Sequence, residues 1–230
     1  MSLPTVSQLA AMIDHAFLKA FGEPGDIERL CDEARAFGFA MVAVNPAEVE
    51  RCVRLLEGCR VGIGAAIGFP LGQTTPRVKL FETLDAIQRG ATEIDMVINV
   101  RALQAGQTGH VRDEIAGVAA ACRSHGVTSK AIIEACYLTD DQKRTACLLA
   151  REAGADFVKT STGFGAGGAT VEDVRLIRQT VGEDMGVKAA GGVFSLDSAL
   201  AMIKAGASRI GTSAGVAIVD ELKRRIAAAL

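Results

Sequence analysis

Short apolar runs recur along the chain and alternate with longer stretches of helical periodicity. The runs fall at 12–15 (MIDH), 40–44 (AMVAV), 61–67 (VGIGAAI), 93–99 (EIDMVIN), 130–134 (KAIIE), 156–160 (DFVKT), 187–190 (VKAA) and 209–212 (RIGT). Between them, 27–36, 78–88, 111–124 and 139–153 carry apolar residues at the spacing of one helix face. Each of these stretches runs out close to Gly38, Gly90, Gly126 or Gly154, the residue type that best accepts the left-handed turn of a helix end. Thr139 with Gln142, and Thr170 with Asp173, have the spacing of capping boxes. Strand, Gly-ended helix, strand is the pattern of a parallel sheet. From Ile13 to Ile210, 197 residues make seven intervals of about 28. Eight such units predict an α/β protein built as a single (β/α)8 TIM barrel over 1–230, closed by a helix at 216–230, with no second domain. The alternative is an open sheet with two strands miscounted. Its dinucleotide-binding form has little support, because no G-x-G-x-x-G follows the first run.

Composition narrows the partners. With 25 basic and 27 acidic side chains the net charge is −2, so there is no basic footprint for nucleic acid. No window approaches the ~18 apolar residues of a membrane span, and the first twenty residues lack a signal peptide's pattern. A cytoplasmic protein with reduced thiols is expected. Six cysteines occur without C-x-x-C spacing, mostly in apolar helical contexts, and read as buried small hydrophobes rather than disulfides or ligands. Glycine is high, 25 of 230 residues or about 11% against a usual ~7%. With no Trp and one Tyr, stacking platforms for bases or sugars are disfavoured.

Barrel active sites lie at the C-terminal ends of the strands. Of eight lysines, two sit inside strand-like runs rather than at their start, Lys159 and Lys188. Lysine is seldom buried without a reason. Period two places Glu93, Asp95, Val97 and Asn99 on one face and Ile94, Met96 and Ile98 on the other, so Asp95 points into the barrel. Two ammonium groups on adjacent strands repel, and with burial this lowers the pKa of one. A neutral lysine can attack a carbonyl and form a Schiff base. A nearby carboxylate can then move protons as a carbon–carbon bond breaks or forms. Asp95, Lys159 and Lys188 make that set, against the alternative of plain structural ion pairs. Asp14 is a further candidate for proton relay or for a structural hydrogen bond, and Glu134 at the end of the fifth run is a similar case. His15 reads as a core histidine. Glycine-rich loops follow the sixth, seventh and eighth runs: 160–165, Gly191-Gly192 and 211–215. Their N–H groups suit an anion, or they are simply tight turns. No cluster has metal-ligand spacing.

Several motifs together resemble the deoxyribose-phosphate aldolase family: 68–72 (GFPLG), 93–99 (EIDMVIN), 133–139 (IEACYLT), 157–164 (FVKTSTGF), 187–193 (VKAAGGV) and 209–215 (RIGTSAG). The resemblance runs from about residue 13 to 219. It implies a class I aldolase that cleaves 2-deoxy-D-ribose 5-phosphate to acetaldehyde and D-glyceraldehyde 3-phosphate, without metal or cofactor. It implies Lys159 as the Schiff-base lysine, Lys188 as its perturbing neighbour and Asp95 as a proton carrier. Thr162 and Gly163 would approach the acceptor end, and Gly191, Gly192, Gly211 and Ser213 would form the phosphate pocket. Family members are often dimers, so a homodimer is expected by resemblance. Where the family usually continues its second lysine motif with a serine and an arginine, this chain has Ala190 and Phe194, and Ala214 stands in the last loop where a second serine is usual. These departures keep open a less charged or differently phosphorylated acceptor. A non-catalytic sugar-phosphate-binding barrel is the remoter alternative.

Overall fold

The computed structural model describes residues 3–229. In chain order the elements are α1 (Val6–Ala10), β1 (Ile13–Phe17), α2 (Asp26–Phe37), β2 (Met41–Val44), α3 (Val49–Leu55), β3 (Gly62–Ile67), α4 (Pro76–Gln88), β4 (Glu93–Val97), α5 (Val100–Gln104) and α6 (Thr108–Ser124). They continue with β5 (Thr128–Ile132), α7 (Asp140–Glu152), β6 (Phe157–Lys159), α8 (Val171–Val181), β7 (Gly186–Ala190), α9 (Leu196–Ala205), β8 (Arg209–Thr212) and α10 (Gly215–Ala228). The strands pair in sequence order, all parallel, and β1 closes on β8. The expected (β/α)8 TIM barrel is the observed one. No helix among the described residues is long and apolar enough to cross a membrane.

Local chemistry accounts for the boundaries. Gly38 ends α2 in the left-handed conformation at φ 68°. Thr139 caps α7 through a reciprocal box with Gln142, whereas Thr170 makes only half of one, accepting from the Asp173 N–H. The fourth run ends early because Asn99 turns to cap α5, accepting from the Ala102 N–H. The fifth strand sits two residues earlier than its apolar run, and Glu134 lies beyond it with a left-handed φ of 50°. That conformation is uncommon for a residue with a Cβ. The short helices α1, α3 and α5 lack enough turns to show a periodicity in sequence.

The two faces of the barrel differ in kind. Outward residues such as Ile63, Ile67, Ile94, Met96, Ile98, Val158 and Ile210 are buried against the helices and form a continuous apolar shell. The inward face is instead small or charged. Matched across the strands run Asp14, Met41, Gly64, Ala66, Asp95, Lys130, Phe157, Gly186, Lys188, Arg209 and Gly211. The glycines make room for long neighbours. A Cβ on Gly64 would stand 2.3 Å from Met41 Cε, one on Gly186 would stand 2.1 Å from the Phe157 ring, and one on Gly211 would stand 3.1 Å from Lys188 Cε. Much of the interior glycine is thus a packing requirement, beside the turn glycines that the sequence suggests.

Two loops at the barrel mouth are fastened from beneath. Lys79 of α4 and Glu114 of α6 form a fully buried ion pair at 2.7 Å. Glu114 also accepts from the Asn99 N–H at 2.5 Å, and Glu82 accepts from the Gly68 N–H at 2.8 Å. Burial pulls the Lys79 ammonium below its ordinary pKa despite Glu114 and Glu82 beside it. Removing one partner of a buried pair leaves the other uncompensated, at about 3–5 kcal/mol. Glu114→Ala is therefore expected to lose stability in that range in urea unfolding. The double variant Lys79→Met with Glu114→Ala is expected to lose less than Glu114→Ala alone.

Candidate active site

The interior charges form one connected ladder. At its centre is Asp95 of β4, 2% exposed. Its Oδ2 accepts from Lys159 Nζ of β6 at 2.7 Å and from Lys188 Nζ of β7 at 2.7 Å. Its Oδ1 accepts from Lys130 Nζ of β5 at 2.8 Å. Lys188 also reaches Asp14 Oδ2 of β1 at 2.6 Å. Below, Arg209 pairs with Asp14 and, at 2.9 Å, with Glu93, which in turn holds Lys130. The Phe157 ring closes the floor, with Lys130 Nζ and the Arg209 guanidinium 5.8 and 5.9 Å from its centroid.

Electrostatics separates the lysines. Burial drives the Lys159 ammonium down; Asp95 opposes this, and the neighbouring charges of Lys188 and Lys130 add to it, leaving a pKa of about 8. Burial acts in the same direction on Lys130, but Asp95, Asp14 and Glu93 outweigh it and hold its proton more firmly than in an ordinary lysine. Burial would raise the Asp95 carboxyl, yet the three ammonium groups keep it well below the usual carboxylate range. The result is an ionised carboxylate touching a lysine that is in part neutral near neutral pH. The neighbour effect expected of Lys188 is present, but desolvation is the larger cause.

A cavity of about 320 Å³ lies against the loop after β6, its lining including Val97, Glu134, Thr162, Tyr137, Phe164 and Leu71. Thr162 does not point freely into it: its hydroxyl donates to Glu134, its N–H donates to the same carboxylate at 3.1 Å, and its Oγ1 accepts from the Phe164 N–H. Burial raises the Glu134 carboxyl against these hydrogen bonds and the Lys159 charge. On the opposite rim, Gly163, Gly191 and Gly192 all have positive φ, and Gly192, Ser213 and Phe194 are exposed. Gly191 also touches Gly168, and its carbonyl accepts from the Ala169 N–H, tying the loop after β6 to the loop after β7. The Ser161 hydroxyl beside Gly191 is buried without a partner. Gly211 lies inside β8, buried against Ala190 and the Lys188 stem. His15 faces outward, its Nε2 2.6 Å from Glu33 of α2.

The structure thus brings Asp95, Lys159, Lys188 and Asp14 together and sets Gly163, Gly191, Gly192 and Ser213 along one rim. Lys130, Glu93 and Arg209 are absent from the set read in sequence. Lys130 and Arg209 stand at the first position of their apolar runs, where a charge looks terminal. Only the register of β5 on β4, with Lys130 beside Asp95, places Lys130 inside.

The model of the DeoC/LacD family of aldolases matches residues 9–221. The chain belongs to this aldolase family. Among its relatives, the deoxyribose-phosphate aldolase of Bacteroides thetaiotaomicron is 63% identical over 219 residues, covering 95% of this chain and 92% of the relative. That of Thermoanaerobacter pseudethanolicus is 55% identical, covering 93% and 96%. Among solved structures, the deoxyribose-phosphate aldolase of Aeropyrum pernix, described as a tetramer, superposes with a TM-score of 0.90 at 33% identity, covering 96% and 93%. The family expected from the motifs is the family found, and aldolase chemistry frames the lysine pair.

The electrostatic asymmetry has a direct readout. Acetic anhydride acylates only neutral amines, so below its pKa the Lys159 rate is expected to climb about tenfold per pH unit and to level off above about pH 8. Lys130 is expected to stay unmodified across that range. Peptide mass spectrometry over pH 6–10 reports both.

Proposed function

We propose that this chain is a class I aldolase that reversibly cleaves 2-deoxy-D-ribose 5-phosphate to acetaldehyde and D-glyceraldehyde 3-phosphate through a Schiff base on Lys159. The observation that carries this reading is the buried Lys159 amine, lowered to a pKa of about 8 and held 2.7 Å from a carboxylate it shares with Lys188. The neutral amine attacks the C1 aldehyde, and the carbinolamine loses water to give an iminium. The C3 hydroxyl then gives up its proton and the C2–C3 bond breaks. Its electron pair enters the iminium to form an enamine, and D-glyceraldehyde 3-phosphate leaves. The enamine carbon takes back a proton, and water releases acetaldehyde and the free amine. Asp95, with Lys188 and Asp14 behind it, stands where those protons must pass. The iminium is itself the electron sink, so the scheme calls for no metal or cofactor.

The phosphate is assigned to the rim of Gly163, Gly191, Gly192 and Ser213. Gly211 serves differently, by leaving space for the Lys188 stem. Phe194, 64% exposed on that rim, offers no charge. The relatives' printed activity supports the phosphorylated substrate.

Two experiments test the reading. Borohydride reduction in the presence of acetaldehyde is expected to leave an ethyl group on Lys159, absent in Lys159→Ala; no adduct on Lys159 in the unaltered protein overturns the assignment. Phe194→Arg is expected to raise kcat/KM for deoxyribose 5-phosphate by roughly 10- to 100-fold, the equivalent of a charged hydrogen bond of about 1.5–3 kcal/mol. Unphosphorylated deoxyribose should be unaffected. Equal efficiency of the original protein on the two sugars would remove the phosphate rim from the proposal.

A further inference from the structure

The catalytic scheme uses Asp95, Lys159 and Lys188 and leaves the lower half of the ladder without a part. We propose that Lys130 is a positioning residue: by holding Asp95 Oδ1 from below and joining it to Glu93 and Arg209, it fixes the carboxylate toward the two upper lysines and sets the charge balance that decides whether Lys159 is neutral. This inference rests on Lys159 being the Schiff-base amine.

The geometry is closed on all sides. Lys130 Nζ touches Asp95 Oδ1 at 2.8 Å, Glu93 Oε2, and Met41 Sδ at 3.6 Å, and its side chain is fully buried. It therefore cannot meet a substrate, and its influence must pass through Asp95. The groups that bear on Lys159 are Asp95 and Glu93 from β4, Lys130 from β5, Glu134 just beyond it, Lys188 from β7, Asp14 from β1 and Arg209 from β8. The strands β2 and β3 present only Met41, Ala43, glycine and Ala66 to the interior. Within the ladder itself there are four cations, Lys130, Lys159, Lys188 and Arg209, and three carboxylates, Asp14, Glu93 and Asp95. In this largely buried ladder one positive charge is in excess. The lysine that sheds it is Lys159, which has only one carboxylate contact, whereas Lys130, Lys188 and Arg209 each have two.

The charge count makes an unusual prediction for paired variants. Lys130→Met leaves three cations and three carboxylates, and Lys159 should keep its proton to higher pH. Glu93→Gln leaves four and two, and Lys159 should lose its proton sooner. The double variant leaves three and two, again one in excess, and should return toward the original behaviour. Damage to packing would instead accumulate.

The test is the pH midpoint of Lys159 acetylation by acetic anhydride, which needs no aldolase turnover. Lys130→Met is expected to raise the midpoint by about one pH unit and Glu93→Gln to lower it by about half a unit, as loss of one nearby charge does. The double variant is expected to lie between them, close to the original. The acidic limb of kcat/KM for deoxyribose 5-phosphate should move with the midpoint, with KM for the sugar within twofold. An unmoved midpoint in Lys130→Met, or a double variant displaced farther than both singles, overturns the inference. If Lys130→Met does not fold, Glu93→Gln decides alone: a midpoint that stays or rises overturns it. Absence of the acetaldehyde adduct in the unaltered protein would instead defeat the Schiff-base assignment, a separate result.

Discussion

A single carboxylate, that of Asp95, accepts from three buried ammonium groups, and the arrangement of the barrel interior follows from that contact. Ionised side chains are costly to bury, and they are tolerated when opposite charges and hydrogen bonds surround them. Here each cation has at least one carboxylate and each carboxylate has two or three cationic partners. The ladder is nevertheless unbalanced by one charge. That imbalance, with desolvation, is what an amine nucleophile needs: it cannot remain fully protonated near neutral pH, and yet the site around it stays polar enough to move protons.

The same contact dictates the packing. A lysine that must reach the barrel axis from one strand needs empty volume on the next, so small residues lie beside long ones: Gly211 against the Lys188 stem, Gly64 against the Met41 tip, Gly186 against the Phe157 ring. The usual barrel interior is layered with branched apolar side chains. In this chain those residues are moved to the outer surface of the strands, where they meet the helices. The apolar shell thus carries the hydrophobic stabilisation, and the interior is left to chemistry.

The chain order of the barrel is legible in sequence because parallel strands buried on their outer face keep β-branched residues at period two while glycine marks the helix ends. Asp95, Lys159 and Lys188 are legible for a related reason: each is a charge inside its run, directly after an apolar residue. Lys130 is not, because its run shows its apolar residues only after it, while the strand itself begins earlier through the polar pair Thr128 and Ser129. Arg209 and Asp14 are 195 positions apart, and only closure of the barrel lets them meet. The role of Thr162 is hidden too, since its hydroxyl is committed to Glu134, a residue whose left-handed backbone has no sequence signal.

Closure also explains why the mouth has two characters. The rim between β6 and β8 is backbone, built from positive-φ glycines whose N–H groups can face an anion. The rim between β3 and β6 is side chain, with Phe69 and Phe164 in edge contact at 5.3 Å and Leu71 exposed beside them. Under the proposed function, a sugar phosphate entering between these halves would have its charged end drawn to one side and its carbon chain held against the other. Phe194 weakens the first of these forces without touching the second. The chain is therefore expected to keep its lysine chemistry over a wider range of acceptors than a barrel with an arginine at that position.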